Sequence, residues 1–380
     1  MLHRLPVDFP MMTSQWTTTH VAGIAQQAIP CVPLIAKPDP LIPGIDLWDY
    51  WPVQEEDGSQ AVIAGGTLFI MLSAPAMADP EARHGMARLR LMHRVGEQWR
   101  DLGLLFDDGF SPGSREWSGS AIVSADHGQV TLYFTAAGVR GEEMLSFRQR
   151  LFETRATLMV ENGEIAFSPW SAPVEMVKPD GEVYVRDMEG GGAIGTIKAF
   201  RDPAFFRDPA NGECFVFFAA SLAQSASFWN GAVGMARRAA DGSWQALPPL
   251  ITADGVNNEL ERPHAIVHEG RYYLFWSTQR KVFADGGPAG PNGLYGMVAE
   301  QLAGAWRPIN GTGLAFANPP QAPFQAYSWF VLPDLTVHSF VDMTGLAFPP
   351  ADAGQARRHF GGAPAPELRL AIDGDRVWLA

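Results

Sequence analysis

Cysteine is nearly absent: Cys31 and Cys214 are the only two in 380 residues, which excludes a disulfide framework. Cys214 falls in the apolar run Glu213-Cys214-Phe215-Val216-Phe217, where a buried free thiol is expected. Long apolar stretches are lacking as well. No segment approaches the roughly 20 apolar residues that cross a bilayer as a helix. Met1-Leu2-His3-Arg4-Leu5-Pro6-Val7-Asp8 has no continuous apolar core of the kind a cleaved export signal carries. Positive charge is in deficit. The balance of 28 Lys and Arg against 41 Asp and Glu gives a formal net charge of -13, which repels phosphate backbones and anionic lipid surfaces. Neither nucleic acid nor membrane is therefore expected as a partner; a neutral ligand fits better.

Helical periodicity is also scarce, confined to a short stretch around Val21–Gln27. What is present is strand and turn. With 39 Gly and 30 Pro punctuating short Val-, Phe- and Tyr-rich runs, the chain reads as all-β. One phrase recurs: Gly66–Leu72, Gly128–Phe134, Gly212–Phe218, Gly270–Trp276 and, more loosely, Asp334–Phe340. Several copies are followed by a further strand and a tryptophan, as in Met86 to Trp99, Val233 to Trp244 and Leu294 to Trp306. Units of about 40–50 residues repeating in this way predict a five-bladed β-propeller. A β-sandwich would show similar strand spacing. What favours the propeller is the polar phrase that opens the strand before each copy: Trp48-Asp49, Glu116-Trp117-Ser118, Arg201-Asp202-Pro203, Glu259-Leu260-Glu261-Arg262-Pro263 and Tyr327-Ser328-Trp329. The first strand of a blade borders the central channel, so five such clusters converge on one funnel-shaped active site. The expected organisation is one propeller domain over residues 1–380, with residues 1–40 as an N-terminal extension packed on it.

Three of these clusters carry acids: Asp49, Asp202, and Glu259 with Glu261. Cleaving a glycosidic bond needs one carboxylic acid to protonate the leaving oxygen and one carboxylate to act as nucleophile or base. Trp48, Trp51 and Trp117 supply the aromatic faces on which a sugar ring stacks. Asp208 repeats the Arg-Asp-Pro motif of Asp202 but leads into Asn211-Gly212, so it is read as turn chemistry at the far end of its strand. Glu189–Gly195 is glycine-rich without a following helix and is read as a mobile loop, not a phosphate cradle. His84, His93, His127 and His264 are assigned to different blades as surface or hydrogen-bonded groups, and no metal site is expected.

The set Leu47–Pro52, Gly113–Ala121, Phe200–Pro203, Glu259–Pro263 and Gln325–Trp329 resembles glycoside hydrolase family 68, which comprises levansucrases, inulosucrases and related β-fructofuranosidases. The resemblance runs from about Trp16 to Phe360-Gly361-Gly362. It implies a five-bladed propeller and a retaining fructosyl transfer from sucrose to water or sugar acceptors. By motif it assigns Asp49 as nucleophile, Glu261 as general acid/base and Asp202 as the stabiliser that holds fructose hydroxyls. Trp48, Trp117, Ser118, Arg201, Glu259, Arg262, Gln279 and Tyr327 are assigned to substrate binding or orientation. Arg262 is the cation expected to act on Glu261. No cofactor is implied, and Asn258, standing where calcium-binding relatives carry an aspartate, predicts no calcium requirement.

Two departures from the family pattern are expected on the acceptor side. Phe218-Ala219-Ala220-Ser221 lacks an acid, and Gln279 stands where relatives carry His or Arg. Together they predict hydrolysis or short-chain transfer over long polymer. Location outside the cell without a cleavable signal is expected, with the cytoplasm as the alternative. Other readings of the residues are an inverting five-bladed glycosidase on another furanoside or pentoside, and a propeller that binds sugar without cleaving it. Linkage type and oligomeric state do not follow from the sequence.

Overall fold

The computed structural model describes residues 12–186 and 197–380; the glycine-rich stretch Glu189–Gly195 lies outside the described residues. Five antiparallel blades follow one another around an axis. Their inner strands are Ile45–Gln54, Arg115–Val123, Phe200–Arg207, Glu261–His268 and Ala326–Val331. Each pairs with the middle strand that follows it: Thr67–Pro75, Gln129–Ala137, Cys214–Ser221, Arg271–Thr278 and Thr336–Met343. The inner strands of blades 1 and 2 also touch in parallel, through Val53 with Ala121 and Gln54 with Ile122.

Each blade is covered on both faces by its neighbours, so its middle strand reads as a near-continuous apolar run instead of an alternating one. In blade 1 every residue from Thr67 to Ala74 is buried. The hydrophobic core is accordingly split into layers between blades. Tyr133 and Leu151 of blade 2 meet Phe200 and Phe218 of blade 3; Phe217 and Met235 of blade 3 meet Leu274 and Trp276 of blade 4. Apolar burial at about 25 cal/mol per Å² is thus collected between blades, leaving the axis free for polar groups.

The segment before blade 1 laces the ring. Ser14–Gln15 pairs in parallel with Trp244–Thr252 at the outer edge of blade 3. The Trp16 indole then enters blade 4, donating to Thr312 O at 2.9 Å and meeting Trp276 edge-on at 5.4 Å. Further on, Gln325 of blade 5 donates to Pro33 O at 2.7 Å, and Lys37 reaches Arg358 O at 2.8 Å. The short helix of this segment spans Thr18–Ile24.

Cys214 departs from expectation. It is free but only half-buried, because it is the first residue of its strand, beside the Asn211-Gly212 turn. Asp208 behaves as turn chemistry: its carboxylate accepts from Ala210 N at 2.9 Å and from the Tyr272 hydroxyl at 2.6 Å.

Candidate active site

Antiparallel pairing places the start of each inner strand and the end of its middle strand on the same rim of the propeller. The five motifs all lie at inner-strand starts. Every one carries a β-bulge there: the ladder slips between Trp48 and Tyr50, Trp117 and Gly119, Arg201 and Ala204, Glu261 and His264, and Tyr327 and Phe330. A bulge breaks the strict in-and-out alternation of a strand and re-aims the extra side chain. Asp202, Arg262 and Ser328 adopt φ of 63°, 50° and 63°, a left-handed backbone that non-glycine residues occupy at a cost of about 1–2 kcal/mol.

The outcome is one cavity of about 270 Å³; the predicted catalytic and substrate-binding residues all border it, whereas Trp51, expected to offer a stacking face, is fully buried away from it. Asp49 accepts a hydrogen bond from Ser118 Oγ at 2.7 Å. Asp202 accepts from the Arg262 backbone N–H at 3.2 Å, and its own N–H donates to Thr135 Oγ1 at 2.9 Å. Glu261 receives Arg201 Nη2 at 2.8 Å on one oxygen and the Tyr327 hydroxyl on the other. Gln279 borders the same cavity as that phenol. Arg201 also reaches Glu259 Oε2 at 3.3 Å and lies 3.6 Å from Asp202 Oδ2. One guanidinium thus serves three of the four clustered carboxylates.

The role of Arg262 differs from expectation. Its guanidinium does not pair with Glu261; it donates to Ser328 O at 3.0 Å, Ser328 Oγ at 2.8 Å and Tyr50 O at 2.9 Å. The bulge turns its side chain away from the neighbouring glutamate, toward blades 5 and 1. Arg201 of blade 3 is the cation on Glu261. Ala219 and Ala220 are fully buried within blade 3 and do not border the cavity, so of the two departures only Gln279 lies at the site. Glu116, inside the blade 2 motif, turns outward to Arg88 Nε at 2.9 Å.

Burial raises Asp202 to about 7 against the pull of Arg201, with Glu261 and Asp49 adding to the rise. Burial, followed by the charge of Glu261, also raises Glu259. Two of the three carboxyl groups on Arg201, Asp202 and Glu259, are therefore raised toward neutrality beside a common cation. Such a site is suited to delivering a proton and to meeting positive charge that grows on a ring.

Further cavity residues were not assigned to the site from the sequence, among them Glu81, Arg83 and His84 in the Pro80–Gly85 turn of blade 1, Phe147 in blade 2, Ile197 ahead of blade 3, Lys281 in blade 4 and Asp342 in blade 5. Their signal was available once blades were assigned, because the end of each middle strand and the loop after it share the rim with the inner-strand motifs. Asp342 is the clearest case. Burial raises it to about 7, and its Oδ1 is shielded from solvent without a hydrogen-bond partner. The histidines are dispersed, although His84 and His93 share blade 1 instead of lying in separate blades. His93 meets Ile63 O at 3.0 Å, and His264 meets Arg262 O at 2.8 Å. No group of three or more His, Cys, Asp or Glu able to hold a metal occurs among the described residues. The Asn258 amide oxygen accepts from Lys198 Nζ at 2.6 Å.

The family model described as Levansucrase/Invertase matches residues 7–225 and 219–379. A levansucrase from Pseudomonas savastanoi pv. glycinea is 30% identical over 91% of this chain and 89% of its own length. An inulosucrase from Halalkalicoccus jeotgali, solved bound to kestose, superposes with a TM-score of 0.89 at 35% identity, covering 97% of this chain and 95% of that one. A β-fructofuranosidase from Microbacterium saccharophilum K-1 shares the fold at a TM-score of 0.84 and 24% identity, over 99% of this chain and 85% of its own.

Proposed function

The chain belongs to the levansucrase/invertase family of glycoside hydrolases, and from that membership we infer a retaining β-fructosyltransferase and β-fructofuranosidase that acts on sucrose. The observation that carries the reading is the meeting, in one cavity, of Asp49 held by Ser118 with Glu261 held by Arg201 and Tyr327. In the first step Glu261 protonates the oxygen joining the two sugars, and glucose leaves. Asp49 attacks the anomeric carbon of fructose, forming a covalent fructosyl-enzyme. Positive charge that develops on the ring is met by the Asp49 and Asp202 carboxylates. Glu261, now deprotonated, takes a proton from water or from a sugar hydroxyl, and that oxygen displaces Asp49. Two inversions give net retention.

Hydrolysis and short transfer products are favoured over long polymer. Gln279, at the cavity wall, offers a neutral amide on the side where an acceptor arrives, so the pull on a growing chain is weak. Incubation with sucrose, an assay of free glucose and fructose, and sizing of the products form the test. Glucose release with fructose and short oligomers is expected. Absence of glucose release would overturn the activity, and abundant high-mass fructan would overturn the product preference.

A further inference from the structure

The cavity wall behind Glu259 is held from outside the cavity by one ammonium group. Lys198, just before the inner strand of blade 3, is half-buried. Its Nζ donates to Asn258 Oδ1 at 2.6 Å, to Asn230 Oδ1 at 2.8 Å and to Phe228 O, and sits 3.9 Å from the Phe228 ring centroid. Phe228 and Asn230 precede the third strand of blade 3, and Asn258 precedes the inner strand of blade 4. Three acceptors converge on a group with three N–H bonds, so donors and acceptors match in number.

The Asn258 side chain is oriented as a result. With its Oδ1 committed to Lys198, its Nδ2 donates to Glu259 Oε1 at 3.3 Å and to Ile197 O at 3.1 Å. The other Glu259 oxygen meets Arg201 Nη2, which also holds Glu261. Arg201 Nη1 donates to Gln149 Oε1 at 3.3 Å, and Gln149 Nε2 returns to Lys198 O at 2.9 Å. The path closes on itself: Lys198, Asn258, Glu259, Arg201, Gln149 and back to Lys198.

We propose that Lys198 is a positioning residue for fructosyl transfer, its ammonium fixing the Asn258 amide so that Glu259 and Arg201 hold Glu261 in place. The inference rests on the functional reading above. Without the ammonium, the side-chain oxygens of Asn230 and Asn258 lose this donor, whereas Phe228 O keeps the Asn230 N–H, and an Asn258 amide that turns to find another donor withdraws its N–H from Glu259. Glu259 is the titratable group that faces the ammonium; the contacts from Phe228, Asn230 and Asn258 are uncharged. Burial lowers Lys198 to about 8 while Glu259 pulls it upward. Above that pH a neutral amine has two N–H bonds for three acceptors, and the clamp loosens.

Glucose release from sucrose by Lys198→Met is expected to fall at least tenfold in kcat. In Lys198→Ala, methylammonium chloride is expected to restore at least threefold over sodium chloride of equal concentration. Wild-type kcat and pH profile in Lys198→Met, or a loss in Lys198→Ala that methylammonium leaves unchanged, would overturn the proposal. Where Lys198→Met does not fold, Asn258→Ala carries the test: with no amide for the ammonium to fix, kcat falls at least fivefold and the alkaline limb set by Lys198 is lost, and wild-type kcat with an unmoved limb counts against the clamp. A wild-type enzyme that releases no glucose fails the functional reading separately. The clamp is then read by a slowly exchanging ammonium resonance at pH 6, and its absence from the intact protein would refute it.

Discussion

Asp202 sits between opposed influences, since burial disfavours its charge and Arg201 favours it; burial wins, and the carboxyl titrates at about 7 against an ordinary 3.8. A folded pKa above the unfolded one means that the group's stabilising protonation is complete below about pH 4 and lost as pH rises through 7. Asp202→Asn should therefore melt higher than wild type above pH 7, by on the order of 1–3 kcal/mol, with the advantage shrinking toward pH 4. Its activity should fall at least a hundredfold across the same range. Thermal melts and glucose assays from pH 4 to 8 test this; equal melting at pH 8 would show that Asp202 is not a stored cost. Asp49→Asn should abolish glucose release, by about three orders of magnitude or more, while circular dichroism stays unchanged. Near-normal turnover would remove Asp49 as nucleophile.

At the scale of the strand, the device that builds the site is the bulge. Trp48-Asp49 and Glu259–Pro263 were legible as polar phrases at the heads of strands, because a two-residue period breaks where acids and prolines interrupt it. Which way Arg262 points was not legible. The register slip between Glu261 and His264 turns it into a clamp joining blade 4 to Ser328 of blade 5 and Tyr50 of blade 1. The guanidinium is buried and fully engaged, and a lysine cannot reproduce its planar fork. Arg262→Lys should destabilise the fold by about 3 kcal/mol, measured by urea unfolding, since it leaves buried carbonyls short of donors. An effect under about 0.5 kcal/mol would make the clamp incidental.

Across the whole molecule, all blades are built from consecutive strands, so the ring closes through side chains and the lacing segment. Arg357 meets Asp46 at 2.6 Å across the seam between blades 5 and 1, and Trp16 fixes the other end of the lace in blade 4. Trp16→Ala should cost about 3–5 kcal/mol and lower the melting temperature, leaving KM for sucrose unchanged. A shifted KM would mean that the lace reaches the cavity. Melting should also be the same with and without a chelator, because an ammonium group occupies the Asn258 oxygen.

The sequence by itself determined the all-β architecture, the blade count and the five inner-strand motifs of the cavity, since strand period, turn chemistry and acid-aromatic spacing are local properties of the chain. Tertiary structure alone decided how those residues are partnered. That Arg201 of blade 3, not the adjacent Arg262, serves Glu261, that Lys198 braces Asn258, and that Asp342 reaches the same rim all depend on contacts between blades. The first two join residues some 60 positions apart in the chain. Their geometry is set by bulges and packing, which a pattern of residue types does not encode.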